Sequence, residues 1–220
     1  MSRFPEGFEP NRSLYLGAEA EIWLGTWMDL LVVSKIRRSK GYRLEQLNQR
    51  IIGSRTAKEA NLMHEAKLAG IPTPVIYHVN PVTGVIIMSY VEGIPLKEAL
   101  STERESIAEK AGSMVNRLHR ARISHGDLTP SNILVRGESM IFLDFGLGEI
   151  TAETEKLAED LNVMKLALDS MFGKSGKSYW QRFVDGYVKR GGDQSRSILQ
   201  RLEEIGSRGR YRRRGTHEQT

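Results

Sequence analysis

The sequence contains no cysteine among its 220 residues. This absence excludes disulfide bonds and metal sites built from thiolate ligands. The chain also lacks any apolar run as long as the roughly 20 residues of a membrane-spanning helix. Its first six residues, Met-Ser-Arg-Phe-Pro-Glu, lack the apolar core of a secretion signal. We therefore expect a cytoplasmic protein that does not enter a membrane.

Aromatic residues are also few, at 7%, but the hydrophobic fraction of 40% and the charged fraction of 27% are typical of a folded globular protein. A chain of this length buries a sizeable core, either as one domain or as two small lobes around a cleft. Composition alone does not choose between these two arrangements.

The net charge is +5, and the densest basic stretch lies at the carboxyl terminus. Its arginines are Arg208, Arg210, Arg212, Arg213 and Arg214. A basic segment is typical of proteins that bind a polyanion such as RNA, and Tyr211 within it could stack on a base. The alternative is a solvated charge run that has no partner.

The most informative segment is residues 125–132, His-Gly-Asp-Leu-Thr-Pro-Ser-Asn, which is followed twelve positions later by Asp144-Phe145-Gly146. Transfer of a γ-phosphoryl group needs a carboxylate near the attacking oxygen, ligands for a metal ion and a cation on the other phosphates. Asp127 is the predicted carboxylate that orients or deprotonates the nucleophile. Asn132 and Asp144 supply the oxygen ligands that Mg²⁺ prefers. The pattern predicts a phosphotransferase or ATPase that uses ATP and Mg²⁺.

The spacing of the two motifs predicts a β-hairpin between them. Residues 133–135 and 140–143 are apolar runs separated by the polar residues 136–139. A hairpin of this length brings its two open ends together, and we therefore expect Asn132 and Asp144 to lie side by side.

A phosphoryl-transfer enzyme of this type also has a lysine on an early strand, paired with a glutamate from the next helix. Residues 30–36 form a buried-strand pattern that contains Lys35 near its end. Arg37 and Lys40 are the rival cations, but the polar stretch of residues 37–43 predicts a solvated loop. Lys35 is therefore the predicted phosphate ligand.

Residues 56–69 have the composition of a helix and contain two carboxylates, Glu59 and Glu65. At 100° per residue, Glu59 falls among Leu62 and Met63 on the face expected to look inward, whereas Glu65 lies off the centre of that face. Glu59 is the predicted partner of Lys35, and Glu65 is predicted to be a solvated surface residue.

A phosphate-covering turn is predicted at residues 16–22, which contain one glycine where protein kinases have three. Small residues here let backbone N–H groups approach phosphates, whereas a glutamate side chain does not attract them. The strand pattern of residues 85–91 leads to the expected hinge, where adenine would lie against the backbone. The predicted nucleotide contacts of these two regions are Gly17, Ala18, Glu19, Ala20, Ser89 and Val91.

Two further stretches have helical periodicity, one opened by Thr102 with Glu105 and one that begins near Glu153. The predicted class is therefore α+β, as a minimal two-lobed protein-kinase-like fold. We expect a β-rich amino lobe at residues 1–91, a mostly helical carboxyl lobe at residues 92–205 and a basic tail at residues 206–220.

These motifs together resemble, nearly end to end, the PRPK-like atypical kinases of the KEOPS complex. The matching segments are Gly17-Ala18-Glu19-Ala20, Lys35 with Lys40-Gly41-Tyr42-Arg43, Arg55-Thr56 with Glu59-Ala60, His125 to Asn132, Asp144 to Leu147, and Leu202-Glu203-Glu204-Ile205 with Arg208-Gly209-Arg210. The resemblance implies an ATP- and Mg²⁺-dependent protein that phosphorylates itself or serine and acts chiefly as an ATPase. It also implies a threonylcarbamoyl-transferase subunit and other KEOPS subunits as partners, and a role in threonylcarbamoyl modification of tRNA, with the basic tail as the predicted tRNA contact.

The sequence departs from ordinary protein kinases in ways that agree with this resemblance. Gly126 and Thr129 replace an arginine and a lysine of those enzymes, and a helix pattern follows Gly148 so soon that no activation loop is expected. Two alternatives stay open. One is a small-molecule phosphotransferase of the aminoglycoside or choline type, although such enzymes generally need a larger helical half than residues 128–220. The other is a non-catalytic scaffold.

Overall fold

The computed structural model describes residues 4–39, 44–102, 105–189 and 191–214, and for Glu105 and residues 208–214 it describes the backbone alone. The chain divides into two compact units. The first comprises Met1–Lys67 and Thr73–Glu92, and the second comprises Leu68–Pro72 and Gly93–Thr220.

The first unit is an antiparallel sheet of five strands in the order β1-β2-β3-β5-β4, with one long helix. Its elements are β1 (Phe8–Leu16), β2 (Ala20–Trp27), β3 (Leu30–Arg37), α1 (Glu45–Leu68), β4 (Ile76–Asn80) and β5 (Val85–Ser89). A two-residue turn joins β2 to β3, and both of its residues, Met28 and Asp29, have positive φ. This backbone matches the twist of the two strands it connects.

The core of the sheet lies on the face that carries Phe8, Val32, Val85 and Ile87. Helix α1 buries Thr56, Glu59, Leu62, Met63 and Ala66 at helical spacing. The predicted helix over residues 56–69 is therefore present, but it begins eleven residues earlier, at Glu45. Of residues 45–55, only Asn48 is buried, so an apolar period was absent from this part of the sequence.

The second unit is mostly helical and has short strands around the predicted catalytic loop. Its elements are β6 (Ile94–Pro95), α2 (Leu96–Ser101), α3 (Glu105–Arg120), β7 (Ile123–Ser124), β8 (Ile133–Arg136), β9 (Ser139–Phe142), β10 (Glu149–Ile150), α4 (Thr154–Phe172), α5 (Lys174–Val188) and α6 (Gly192–Arg214). The helix α4 begins ten residues after Asp144, as the sequence predicted.

Helices α3 and α5 cross at very short range because each contributes a glycine to the crossing. A β-carbon at Gly112 would lie 1.9 Å from the carbonyl oxygen of Phe183, and one at Gly186 would lie 1.8 Å from that of Glu109. Only glycine permits such an approach of two backbones. The crossing also brings His119, near the end of α3, against Tyr187 on α5, with their ring centroids 5.6 Å apart.

The predicted hairpin forms between β8 and β9. Ile133 pairs with Phe142 and Arg136 pairs with Ser139, so the turn consists of Gly137 and Glu138. One further strand pair, β10 with β7, closes the segment after the Asp-Phe-Gly motif onto the strand before the catalytic loop. Among the described residues, every helix falls short of the length or the apolarity that crossing a bilayer takes.

Candidate functional site

In the first unit, Lys35 and Glu59 form the predicted ion pair. The ammonium of Lys35 donates to Oε1 of Glu59 at 2.6 Å, and both side chains are almost fully buried. Strand alternation points Lys35 at α1, and the helical period points Glu59 back at the strand. Glu65, the rival carboxylate, is only half-buried.

Arg37 departs from the expectation of a solvated loop. It is the last residue of β3, its side chain is 8% exposed, and its guanidinium donates to Oε2 of Glu59 at 2.5 Å. Residues two apart on a strand face the same way, so Arg37 joins Lys35 on one carboxylate. The run of polar residues after it concealed this alternation. Lys40, the other rival, lies outside the described residues.

The predicted phosphate-covering turn is a tight connection between β1 and β2. The amide of Gly17 donates to the carbonyl of Ala20 at 3.0 Å, and the amide of Arg38 donates to the carbonyl of Glu19 at 2.9 Å. The side chain of Glu19 pairs with Arg55 of α1 at 3.4 Å, while Ala18 is exposed. The backbone of this turn is thereby bonded to the residue that follows β3, and the Glu19 side chain is paired with α1.

The predicted adenine segment begins where β5 ends. The amide of Ser89 donates to the carbonyl of Val75 at 2.8 Å, and its hydroxyl accepts from the amide of Val75 at 2.9 Å. Val91 follows the strand and is half-buried. Ser89 is thus bound to the neighbouring segment through both groups, which fixes the chain direction at this point.

In the second unit, Asp127 and Asn132 are joined across the catalytic loop. The side-chain amide of Asn132 donates to the carbonyl of Asp127 at 2.8 Å and to its Oδ2 at 3.0 Å. An amide whose nitrogen is engaged in this way directs its oxygen to the opposite side. Asn132 therefore holds the carboxylate of Asp127 in place. Asp127 itself is half-buried and keeps part of its surface accessible.

The hairpin brings Asp144 beside Asn132, as the spacing predicted. The amide of Leu143 donates to the carbonyl of Asn132 at 2.9 Å, so Asp144 is the next residue along. Asp144 is exposed and has a positive φ of 55°, and its Oδ1 accepts from the amide of Gly146 at 3.1 Å. Positive φ is rare for residues other than glycine and is often found at functional positions.

The donor set at Asn132 and Asp144 fits Mg²⁺. Both side chains offer hard oxygen atoms, and Mg²⁺ is commonly held by one or two protein oxygens, with water and substrate phosphates as the remaining ligands. In the part of the chain that the structure describes, no cluster of three or more His, Asp or Glu side chains could hold a metal ion. A metal cage built by the protein alone is therefore not formed by these residues.

Asp160, on α4, was missed by the sequence analysis and holds the catalytic loop from beneath. Its Oδ2 accepts from the amide of His125 at 2.6 Å, and its Oδ1 accepts from the amide of Gly126 at 2.7 Å. Burial alone would raise the pKa of Asp160, but hydrogen bonds from His119 and from the His125 backbone hold it below its ordinary value. The residues immediately before Asp127 are thus fixed by a buried carboxylate.

His125 serves packing and hydrogen bonding. Its Nε2 donates to the carbonyl of Leu143 at 2.9 Å, and its ring lies 4.6 Å from that of Phe145. Burial lowers the pKa of His125, against the opposing effect of nearby carboxylates and of the Leu143 carbonyl. The imidazole links the catalytic loop to the segment that carries Asp144.

Gly126 has a structural reason to be glycine. Its φ is +79°, and a β-carbon there would lie 2.3 Å from the carbonyl oxygen of Leu147. The arginine that ordinary protein kinases carry at this position therefore has no space here. The five arginines of the predicted tRNA contact belong to residues 208–214, of which the structure describes the backbone alone, as a continuation of α6.

Comparison with known proteins shows a family and relatives that this sequence resembles. The sequence profile of the RIO domain matches residues 32–169. A protein of Methanothermobacter thermautotrophicus, named a probable bifunctional tRNA threonylcarbamoyladenosine biosynthesis protein, is 41% identical over 202 residues, which are 92% of this chain and 37% of that protein. The KEOPS complex subunit Bud32 of Pyrococcus abyssi is 35% identical over 209 residues, which cover 90% of this chain and 95% of that subunit.

Among solved structures, the Rio2 kinase of Chaetomium thermophilum, in a complex with ADP, Mg²⁺ and phosphoaspartate, matches with a TM-score of 0.65 at 18% identity, over 91% of this chain and 71% of that one. At this identity the likeness shows the fold alone, and it confirms the predicted α+β protein-kinase-like fold. The chain spans about 37% of the length of the bifunctional relatives, of which the Methanothermobacter protein is one.

Proposed function

Because the chain belongs to the RIO-domain family and, within it, to the Bud32-like subunits, we propose that it is an ATP-dependent atypical kinase and ATPase of the serine/threonine type. In this proposal it supports threonylcarbamoyladenosine formation in tRNA as a subunit of the KEOPS complex. The names of the relatives support the tRNA-modification role, and the site geometry supports the chemistry.

The observation that carries the chemical proposal is the bonding of Asn132 to Asp127, with Asp144 adjacent. One side-chain amide fixes the carboxylate that would orient the nucleophile, and the hairpin places a second carboxylate beside that amide. A set made of one amide and two carboxylates, placed before and after a short hairpin, has the composition that phosphoryl transfer needs.

Each residue has a defined task in this proposal. Asp127 accepts a hydrogen bond from the attacking hydroxyl or water and takes its proton. Asn132 and Asp144 hold Mg²⁺, which when bound neutralises charge on the phosphate oxygens. Lys35, fixed by Glu59, binds the non-transferred phosphates, and the turn that contains Gly17, Ala18, Glu19 and Ala20 covers them through its backbone. The segment around Ser89 and Val91 receives the adenine.

A water nucleophile is favoured over a substrate peptide because the chain has little structure on which a peptide could dock. Between Asp144 and the start of α4 at Thr154 there are nine residues, 145–153, and two of them form β10. Protein kinases use an activation loop in this position as the platform for the substrate peptide. Turnover in this proposal is therefore chiefly ATP hydrolysis, with autophosphorylation as a slower event.

The proposed partners are the other KEOPS subunits, above all the threonylcarbamoyl-transferase subunit. The Pyrococcus relative is named a subunit of that complex, and the longer relatives are named bifunctional proteins of the same modification. The proposed tRNA contact is the arginine-rich end of α6, and the proposed compartment is the cytoplasm, where the tRNA substrate is found.

The proposal is tested by ATP turnover of the purified chain, measured with and without the transferase subunit and tRNA. We expect turnover to rise when both are added. Asp127→Ala and Asp144→Asn should each lower it by about 10²–10⁴-fold while pull-down of the transferase subunit is retained. Asp185→Asn, an exposed position on α5, is the matched control and should behave as wild type. Near wild-type turnover in both site variants would overturn the kinase-type mechanism.

A further inference from the structure

Three buried polar side chains from three helices meet beneath the catalytic loop. The hydroxyl of Tyr187 on α5 lies 2.8 Å from Nδ1 of His119 on α3, and Nε2 of His119 lies 3.3 Å from Oδ2 of Asp160 on α4. All three residues are at most 1% exposed. Asp160 in turn accepts the amides of His125 and Gly126, so the chain of contacts ends one residue before Asp127.

The chemistry of these groups fixes the direction of the hydrogen bond between His119 and Asp160. An ionised carboxylate can only accept a hydrogen bond, so Nε2 of His119 must carry a proton and act as the hydrogen-bond donor to Asp160. In a neutral imidazole Nδ1 is then an acceptor, and the Tyr187 hydroxyl must be its donor. Burial, and to a lesser degree Asp160, raise the pKa of Tyr187 above its ordinary value, so the hydroxyl keeps the proton that it donates.

We propose that Tyr187 is a positioning residue: its hydroxyl donates to Nδ1 of His119 and holds the imidazole in the orientation in which Nε2–H fixes Asp160 against the His125 and Gly126 amides of the catalytic loop. Tyr187 reaches the catalytic loop through His119 and Asp160. The link to catalysis rests on the proposed function, whereas the tautomer and the fixation of the loop stand without it.

The hydroxyl has no role in packing that a phenylalanine ring would not fill equally well. The ring of Tyr187 stacks on that of Phe183, at a centroid distance of 6.4 Å and an interplanar angle of 11°. A buried hydroxyl is costly unless it is hydrogen-bonded, and its bond to His119 offsets that cost. The hydroxyl therefore acts on the histidine, and removing it tests that action with little change in shape.

The first measurement needs no variant. In ¹⁵N-detected NMR of the wild-type chain at neutral pH, we expect His119 to show a protonated Nε2 and an unprotonated Nδ1. A spectrum in which both nitrogens are protonated, or in which Nδ1 alone carries the proton, overturns the proposal.

The second measurement compares Tyr187→Phe with Tyr179→Phe. Tyr179 is also buried on α5, and its hydroxyl donates to the carbonyl of Leu100 at 2.8 Å, away from Asp160. Each variant loses one buried hydrogen bond, so the two are matched in the kind of stability loss expected. Only Tyr187→Phe should speed hydrogen exchange at the amides of His125 and Gly126, by about tenfold.

Turnover gives the third readout. Tyr187→Phe should lower kcat for ATP by about threefold to tenfold and leave KM nearly unchanged, because a loosened loop misplaces Asp127 without removing a group that binds nucleotide. Equal exchange rates in the two variants overturn the proposal, whatever the kinetics. If the wild-type chain hydrolyses no ATP but the tautomer and exchange results hold, the proposed function fails while the positioning role of Tyr187 stands.

Discussion

The guanidinium of Arg37 and the carboxylate of Glu59 form a buried ion pair of 2.5 Å at Oε2, while Lys35 binds Oε1 of the same carboxylate. One carboxylate thus joins two cations that lie two residues apart on the same strand. The second cation prevents Glu59 from rotating away from Lys35. Arg37 is therefore expected to orient Lys35 indirectly, through Glu59.

We predict that Arg37→Gln lowers ATP turnover by about threefold to tenfold, since Glu59 loses one of two charge-assisted hydrogen bonds. Its effect on stability should be modest, under about 2 kcal/mol, because the buried Nε of Arg37 has no partner among the described residues and its removal offsets part of the loss. Turnover and urea unfolding of the same preparations check both statements. Arg38→Gln is the control, because Arg38 is 53% exposed and pairs with Glu21 instead.

Lys35→Ala and Glu59→Ala should abolish turnover alike, because the lysine needs the glutamate to hold it. Their stabilities should differ. Lys35→Ala leaves Glu59 paired with Arg37, whereas Glu59→Ala leaves two buried cations without their carboxylate, at a cost of about 3–5 kcal/mol. Glu65→Ala should change neither quantity, and a damaging Glu65→Ala beside a harmless Glu59→Ala would overturn the assignment of the helix faces.

The sequence was sufficient to predict contacts that follow from a regular period or from a hairpin. The pairing of Lys35 with Glu59 follows from strand alternation and the helical period, and the meeting of Asn132 with Asp144 follows from two apolar runs around a short turn. Arg37 was missed because its charge was assigned to the polar stretch that follows it. The alternation from Lys35 already placed both residues on one face.

Asp160 was missed for a related reason. Leu157, Leu161 and Met164 form an apolar stripe at helical spacing, a pattern typical of core packing, and Asp160 lies three residues after the first of these and four before the last. A single carboxylate on an apolar face was a signal that something buried must donate to it. Its partners, the amides of His125 and Gly126, are 35 and 34 residues away in sequence, beyond the reach of any local period.

Gly126 offers a test of the close contact between the catalytic loop and the segment after Asp144. Gly126→Ala should destabilise the chain by more than about 3 kcal/mol and abolish turnover, because both the positive φ and the nearby Leu147 carbonyl oppose a side chain. Gly137→Ala is the matched control. It also has positive φ, at +55°, but its β-carbon would meet nothing within 4 Å.

Only backbone strain should therefore destabilise the control, by about 1–2 kcal/mol, and its ATP turnover should be unchanged. Thermal unfolding and ATP hydrolysis of the two variants decide the matter. Equal losses at both positions would mean that the contact with Leu147 relaxes freely and that the loop has more space than the structure indicates.

The arginines at the end of α6 are predicted to bind tRNA phosphates. We expect weaker tRNA binding with a flatter dependence on salt when all five are replaced by Gln: Arg208, Arg210, Arg212, Arg213 and Arg214. Binding through fewer phosphate contacts releases fewer counterions from the tRNA. Truncation after Ile205 should do the same and keep autophosphorylation, since Ile198 and Leu202, the buried apolar residues among the described side chains of α6, remain.

The measurement is tRNA affinity over a series of salt concentrations, for the isolated chain and for the assembled complex. Arg196→Gln serves as the control, because Arg196 is 75% exposed on the same helix and pairs with Asp193. If the salt dependence of tRNA affinity has the same slope in all of these proteins, the terminal arginines are a solvated charge run that does not bind tRNA.

Because Asp160 supports the catalytic loop, the two motifs alone do not specify the structure of the site. A 22-residue peptide spanning residues 125–146 contains Asp127, Asn132 and Asp144, yet its conformation depends on a carboxylate that lies fourteen residues beyond its end. If the peptide were grafted onto another scaffold, it would keep its sequence but lose the loop conformation that Asp160 supports. A database match to both motifs should count as a candidate enzyme only where an inward-facing acid occurs on the helix that follows.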